Sequence, residues 1–127
     1  MELIDTTFLI DLLKGEKETK NIAQRENLLT TDINMFEIIK GICFKRPSTP
    51  KFYEIIDILG DIRVLPLDQK GVILAADIHA ELRKKGEEIS DNDCLIAGIA
   101  LSNGINTIIT KNKDHFSRIK GITVETY

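Results

Sequence analysis

A chain of 127 residues, 43% of them hydrophobic, can bury one core and is short for two, so residues 1–127 are expected to form a single domain. Its formal net charge of −3 argues against a strongly basic protein that coats nucleic acid, but not against a nuclease whose acids await a cation. Cys43 and Cys94 are the only cysteines and have no C-x-x-C spacing; they read as buried thiols of a reducing cytosol, not as a disulfide framework or a zinc site.

In chain order, short apolar runs alternate with amphipathic ones. Glu2 to Asp5 reads as a first strand. Thr6 to Lys14 reads as a helix with Phe8, Leu9, Leu12 and Leu13 on one face, and Gly15 as its C-cap. Lys17 to Glu26 is a polar, peripheral helix, and Leu28 to Thr31 a second strand. Ile33 to Phe44 is helical, with Met35, Ile38, Ile39, Ile42 and Cys43 forming a buried stripe. Pro47 and Pro50 separate it from a helix over Lys51 to Leu59. Arg63 to Leu67 is a third strand, cut short by Pro66, which cannot donate to a ladder. Asp68 caps a long helix that runs to Lys85 and stops at Gly86. Asp91 to Asn103 is the next helix, Ile105 to Thr110 a fourth strand, and Ile122 to Thr126 a fifth and weaker one.

Strands separated by helices imply parallel pairing with right-handed crossovers, hence a three-layer α/β/α sandwich around a parallel sheet of four to five strands. The two consecutive helices between strands two and three elaborate that plan and form a possible arm against a partner. No apolar run approaches the roughly 20 residues that span a bilayer. Glu2 and Asp5 interrupt any leader pattern, so a cytoplasmic protein is expected. Arg83, Lys84 and Lys85 form one basic group; Lys111, Lys113, Arg118 and Lys120 form another. Both read as solvated surface.

Acids and an amide recur where apolar runs meet helix starts: Asp5, Glu37, Asp93, then Asn112 and Asp114. In a parallel sheet that edge is where ligands sit. Carboxylates there, with no histidine or cysteine among them, suit a hard oxygen-loving cation such as Mg2+. Each has a plainer reading. Asp5 is a good N-cap for the helix at Thr6, and its neighbours Thr6 and Thr7 add hydroxyls. Ser90-x-x-Asp93 resembles a capping box, although Asp91 and Asp93 together exceed what capping needs. On a helical wheel Glu37 falls opposite the apolar stripe, as a surface glutamate would. Asn112 and Asp114 suit a turn after a strand. His115 is the wrong type for Mg2+ and reads as structural or exposed. His79 reads as a core histidine.

As ordered strings these positions say more. Leu3-Ile-Asp-Thr-Thr-Phe-Leu-Ile-Asp11, Thr31-Asp-Ile-Asn-Met-Phe-Glu-Ile-Ile-Lys-Gly41, Arg83-Lys-Lys-Gly-Glu-Glu-Ile-Ser-Asp-Asn-Asp-Cys-Leu-Ile-Ala97 and Ile109-Thr-Lys-Asn-Lys-Asp-His-Phe116 cover most of the chain. In that order they resemble the PIN-domain family and, within it, the VapC-type ribonuclease toxins. The resemblance implies a metal-dependent endoribonuclease. Asp5 and Asp93 would hold one Mg2+ or Mn2+, and Glu37 would hold water or act as general base. Asn112, where many relatives carry aspartate, would bound a second, weaker position, with Asp114 a possible substitute carboxylate. It further implies tRNA or rRNA as substrate, a small antitoxin whose tail reaches the acidic pocket, and a homodimer through the helices after strand two, where Phe36, Phe44, Phe52 and Tyr53 stand. Two other classes compete. One is a catalytically inactive PIN fold that binds RNA, favoured by Asn112. The other is a phospho-acceptor receiver domain, opposed by the single acid after strand one and by Pro66-Leu67 where a receiver needs an aspartate.

Overall fold

Three parallel strands meet at the centre of the molecule because their residues are apolar on both faces. The computed structural model describes residues 1–127. In β1 (Glu2–Ile4), Leu3 and Ile4 are both buried yet point to opposite sides of the sheet. β2 (Leu28–Thr31) and β4 (Thr107–Ile109) flank β1, with Leu3 paired to Leu29 on one side and to Ile108 on the other. β3 (Arg63–Leu65) and β5 (Thr123–Glu125) are the edges, so the five-stranded sheet has the order β3-β2-β1-β4-β5, parallel throughout.

Helices cover both faces, as the alternation of strands and helices requires. On one face α1 (Thr6–Leu13), α3 (Asp32–Lys45) and α4 (Thr49–Gly60) bring Phe8, Leu9, Ile38, Ile42 and Leu59 against Ile4 and Ile109. On the other, α5 (Gln69–Lys84) and α6 (Asp91–Ser102) supply Ala75, Leu82, Ile96, Ile99 and Ala100 against Leu3, Leu29 and Ile108. α2 (Lys17–Ile22) is peripheral, and α7 (Lys113–Phe116) is a single turn pinned by buried Phe116. No helix is long and apolar enough to cross a membrane.

Several boundaries differ from the sequence reading. α2 ends at Ile22, because Ala23 to Glu26 offers nothing to bury; β3 ends at Leu65, ahead of Pro66; β4 and β5 are each three residues. α4 begins at Thr49, with Pro50 in its first turn and Ser48 as its cap. α7 has too few residues to show a period. Cys43 is exposed, not buried, because one step past Ile42 turns it about 100° away from the stripe. His79 is only half-buried and lies 3.8 Å from exposed Asp91.

The order of strands has one functional consequence. From β1 the chain proceeds outward to β2 and β3, then returns to β4 on the opposite side. The gap between the C-terminal ends of β1 and β4 is therefore the switch point of the sheet, where open α/β folds form a crevice.

Candidate active site

Asp5 leaves β1 at that gap. It caps α1 by accepting from the Phe8 N–H at 3.1 Å, so the plainer reading of this residue is correct as far as it goes. It is also 3% exposed and carries more than a cap requires. Thr7 Oγ1 donates to the capping oxygen Oδ1 at 2.7 Å, and Thr110 Oγ1, at the end of β4, donates to Oδ2. Burial drives the Asp5 carboxyl above the usual carboxylate range. The bonds from Thr110, Thr7 and Phe8 pull it back down, and the nearby negative charge of Asp93 pushes it up again.

Asp93 enters from the first turn of α6. Ser90 caps this helix by accepting from the Asp93 N–H at 3.1 Å, leaving the carboxyl of Asp93 free. That carboxyl lies 3.1 Å from His115 Nδ1. His115 is thus partly exposed and hydrogen-bonded in the pocket, a contact that the sequence reading does not anticipate. One turn of α7, locked by Phe116, aims it into the pocket. Asn112 caps no helix with its side chain. Its N–H donates to Thr110 Oγ1 at 2.7 Å, and its amide meets His115 Nδ1 at 2.9 Å.

Glu37, on α3, is half-buried and not a plain surface glutamate. Its Oε1 accepts from Thr6 Oγ1 at 2.8 Å and its Oε2 from Asn92 Nδ2 at 3.2 Å. Thr6 is in turn held by Asn34 Nδ2 at 3.1 Å, and Asn34, fully buried, accepts from Thr31 Oγ1 at 2.7 Å. A chain of five polar side chains, from Thr31 through Asn34, Thr6 and Glu37 to Asn92, therefore ties the ends of β1 and β2 to the start of α6. Asp114 is exposed, and its hydrogen bond runs through the backbone carbonyl to Ser117; its carboxylate does not join the cluster. Asp91 faces away toward His79.

Sequence reasoning missed Asn34, Asn92, Thr110 and His115 as members of this pocket. Only Asn34 left a trace, as a polar residue on the apolar side of an amphipathic helix.

Asp5, Glu37 and Asp93 have no lysine or arginine ion partner; nearby Lys111 is taken by Asp11 at 2.9 Å instead. A carboxylate has about four lone-pair positions, so even the bonded oxygens of Asp5 can accept more. Oxygen donors, one of them deeply buried and none paired with a lysine or arginine, fit a hard divalent ion. As the side chains lie, no three histidine, cysteine or acidic groups stand close enough to grasp a single ion. Thr7, Thr110 and the Phe8 N–H hold Asp5, so Asp93 would have to turn toward it for the two to share an ion.

Known proteins support the same reading. Residues 3–122 match the PIN domain. The tRNA(fMet)-specific endonuclease VapC of Salmonella typhimurium is 30% identical over 130 residues, covering 98% of this chain and 96% of that protein. Ribonuclease VapC1 of Methanocaldococcus jannaschii is 29% identical, covering 98% and 85%. Among solved structures, DNA-bound VapBC from Salmonella typhimurium superposes with a TM-score of 0.83 at 26% identity, covering 98% of this chain and 96% of that one. VapBC2 from Rickettsia felis, bound to a promoter DNA fragment, gives 0.88 at 21% identity over 99% and 98%, a likeness of fold. The acids at the strand ends and the match along nearly the whole chain agree: the protein belongs to the PIN-domain family, among its VapC-type ribonucleases.

Proposed function

We propose that this chain is a Mg2+- or Mn2+-dependent endoribonuclease acting as the toxin of a toxin–antitoxin pair. The observation that carries this reading is the buried Asp5 carboxylate at the β1–β4 switch point, close to Asp93 and without a basic partner. Asp5 and Asp93 would hold the cation. Bound there, it would supply Lewis-acid stabilisation of charge on the phosphate and a more acidic water. Glu37 is the general base. Thr6 and Asn92 fix its two oxygens yet leave lone pairs free to take a proton from the attacking water. As the water oxygen bonds to phosphorus, the P–O ester bond on the far side breaks and the leaving oxygen takes a proton from solvent. An acidic floor calls for a strand that can bend into it, which favours single-stranded loops of structured RNA such as tRNA or rRNA.

Purified protein incubated with total RNA, with Mn2+ and with EDTA, tests the reading. Discrete fragments should appear with Mn2+, vanish with EDTA and vanish in Asp5→Asn. Cleavage unaffected by chelator would refute it. A catalytically inactive RNA-binding module is the second reading, favoured by the uncharged Asn112; it requires Asp5→Asn to bind RNA as the parent does and the parent to cut nothing.

Two surfaces support partners for this reading. A groove of about 490 Å3 between α1, α3 and α4 is lined by Ile10, Leu13, Ile38, Ile42 and Ile55. Lys14, Lys45 and Lys51 stand on its rim, and Glu37 closes the end nearest the pocket. An amphipathic antitoxin segment would fit it, with acidic residues toward the lysines and an arginine reaching the catalytic acids. On α3 and α4, Phe36, Phe44 and Tyr53 are 62%, 89% and 63% exposed, with Phe52 packed edge-on against Tyr53. Such a patch suits a second copy of the chain.

A further inference from the structure

We propose that Asp11 is a positioning residue for RNA cleavage: through Lys111 and Tyr127 it fixes the bend that carries Thr110 and Asn112 into the pocket. The proposal rests on the reading of the Asp5 pocket as the place of cleavage.

Three observations carry it. The first is that the bend has little backbone to hold it. β4 ends at Ile109, and the Thr110 N–H makes one more bond, to the Glu125 carbonyl at 3.0 Å. Beyond it, the amides of Lys111 and Asn112 donate to side chains, to Thr7 Oγ1 at 3.2 Å and Thr110 Oγ1 at 2.7 Å. Those two hydroxyls are the ones that donate to the two oxygens of Asp5. A shift of the bend therefore moves the donors of Asp5.

The second is the grip of α1. Thr7 and Asp11 stand four residues apart, hence on one face of the helix. Thr7 takes the backbone of Lys111 and Asp11 takes its side chain, with Nζ 2.9 Å from Oδ2. One residue of the bend is thus clamped at both ends.

The third is the way Asp11 itself is held. It is buried, and its Oδ2 also accepts from Tyr127 Oη at 2.7 Å. The Tyr127 ring packs edge-on against Phe8 and lies 5.4 Å below Lys111 Nζ. Burial alone would raise the Asp11 carboxyl, but the bonds from Lys111 and Tyr127 outweigh it and hold the group below the usual carboxylate range. The ammonium is half exposed, so the pair contributes little to global stability. What it fixes is local.

Two measurements on the full chain test this: the total-RNA assay with Mn2+ run at graded RNA concentrations, and amide hydrogen exchange. The variants are Asp11→Asn, Lys111→Met and the two combined. Asn still accepts from Tyr127 and Met still covers its ring, so the ion pair alone is removed. Each single variant should lower kcat about tenfold with KM within about twofold of the parent, and the double variant should lose no more than either. The amides of Lys111 and Asn112 should exchange faster in all three, while those of buried Ile99 and Ile108 keep the parent's rates. Lys111→Arg, which keeps the charge, should cut and exchange as the parent does. Parental kcat in Asp11→Asn overturns the proposal. So does a raised KM at unchanged kcat, the mark of a lysine that touches RNA. Faster exchange at Ile99 and Ile108 as well overturns it too, since the pair would then be merely structural. If Lys111→Met does not fold, Lys111→Gln takes its place with the same expectations. These three failures leave the nuclease reading standing, whereas a parent that cuts no RNA sinks both together.

Discussion

Asp5 caps α1, and in the proposed mechanism it also holds the cation; the two roles can be separated. Asn is as good an N-cap as Asp, so Asp5→Asn should keep α1 capped while abolishing RNA cleavage. Asp5→Ala loses the cap too and should cost about 1 kcal/mol of stability. The titration has a definite sign. The carboxyl is raised in the folded chain, chiefly by burial, so the folded state binds a proton more tightly than the unfolded state. Its contribution is fully present below the unfolded value of 3.8 and is lost as pH rises through the raised folded value. Once ionised, the metal-free Asp5 carboxylate is a destabilising buried charge. Two thermal melts check this. Metal-free Asp5→Asn should melt at or above the parent at pH 7, and Mn2+ should raise the melting temperature of the parent alone. A metal-free variant that melts well below the parent would contradict the sign.

The same residue shows what sequence can reveal. Caps and strand ends are local signals, so Asp5 and the Ser90–Asp93 cap could be read directly. The pocket is not local. Glu37 meets Thr6 and Asn92 across 31 and 55 positions, and a helical wheel says which face is apolar, not what the polar face touches. The contact of His115 with Asp93 is hidden from sequence for the same reason: the two stand 22 residues apart.

At the level of elements, α5 and α6 cross closely at Gly98. A Cβ there would stand 2.5 Å from the Gly71 carbonyl oxygen and 2.8 Å from the Ala75 nitrogen, both backbone atoms that cannot turn aside. Gly98→Ala should therefore force the helices apart and cost roughly 1–3 kcal/mol in chemical denaturation. Gly41, inside α3, has nothing within 4 Å of the same position. Gly41→Ala should gain about 0.5–1 kcal/mol from helix propensity alone. Equal effects from the two substitutions would mean that close approach is not what selects glycine at position 98. Long elements were legible because period and caps agree over several turns; α7, with a single turn and its one anchor in Phe116, had no period to show.

Across the whole molecule, the exposed rings of α3 and α4 and the groove beside them are separate surfaces and should respond separately. Phe44→Lys should halve the molar mass seen by light scattering if the rings face a second copy, without changing RNA cleavage by more than about twofold. An unchanged mass would remove the dimer. Ile10, 38% exposed in the groove, can be changed to lysine with little loss of core. Ile10→Lys should weaken capture of the antitoxin segment by about tenfold or more while cleavage of free RNA persists.

The sheet order also governs when the molecule becomes dangerous to its maker. β1 is synthesised first but occupies the middle of the sheet, and one of its two neighbours, β4, lies more than a hundred residues downstream. A nascent chain that has not yet delivered Thr110 holds Asp5 on a strand with one open edge and no opposite wall. Enzymatic competence must then arrive late and all at once, so ribosome-bound or prematurely terminated fragments should be harmless to RNA and prone to self-association through that open edge.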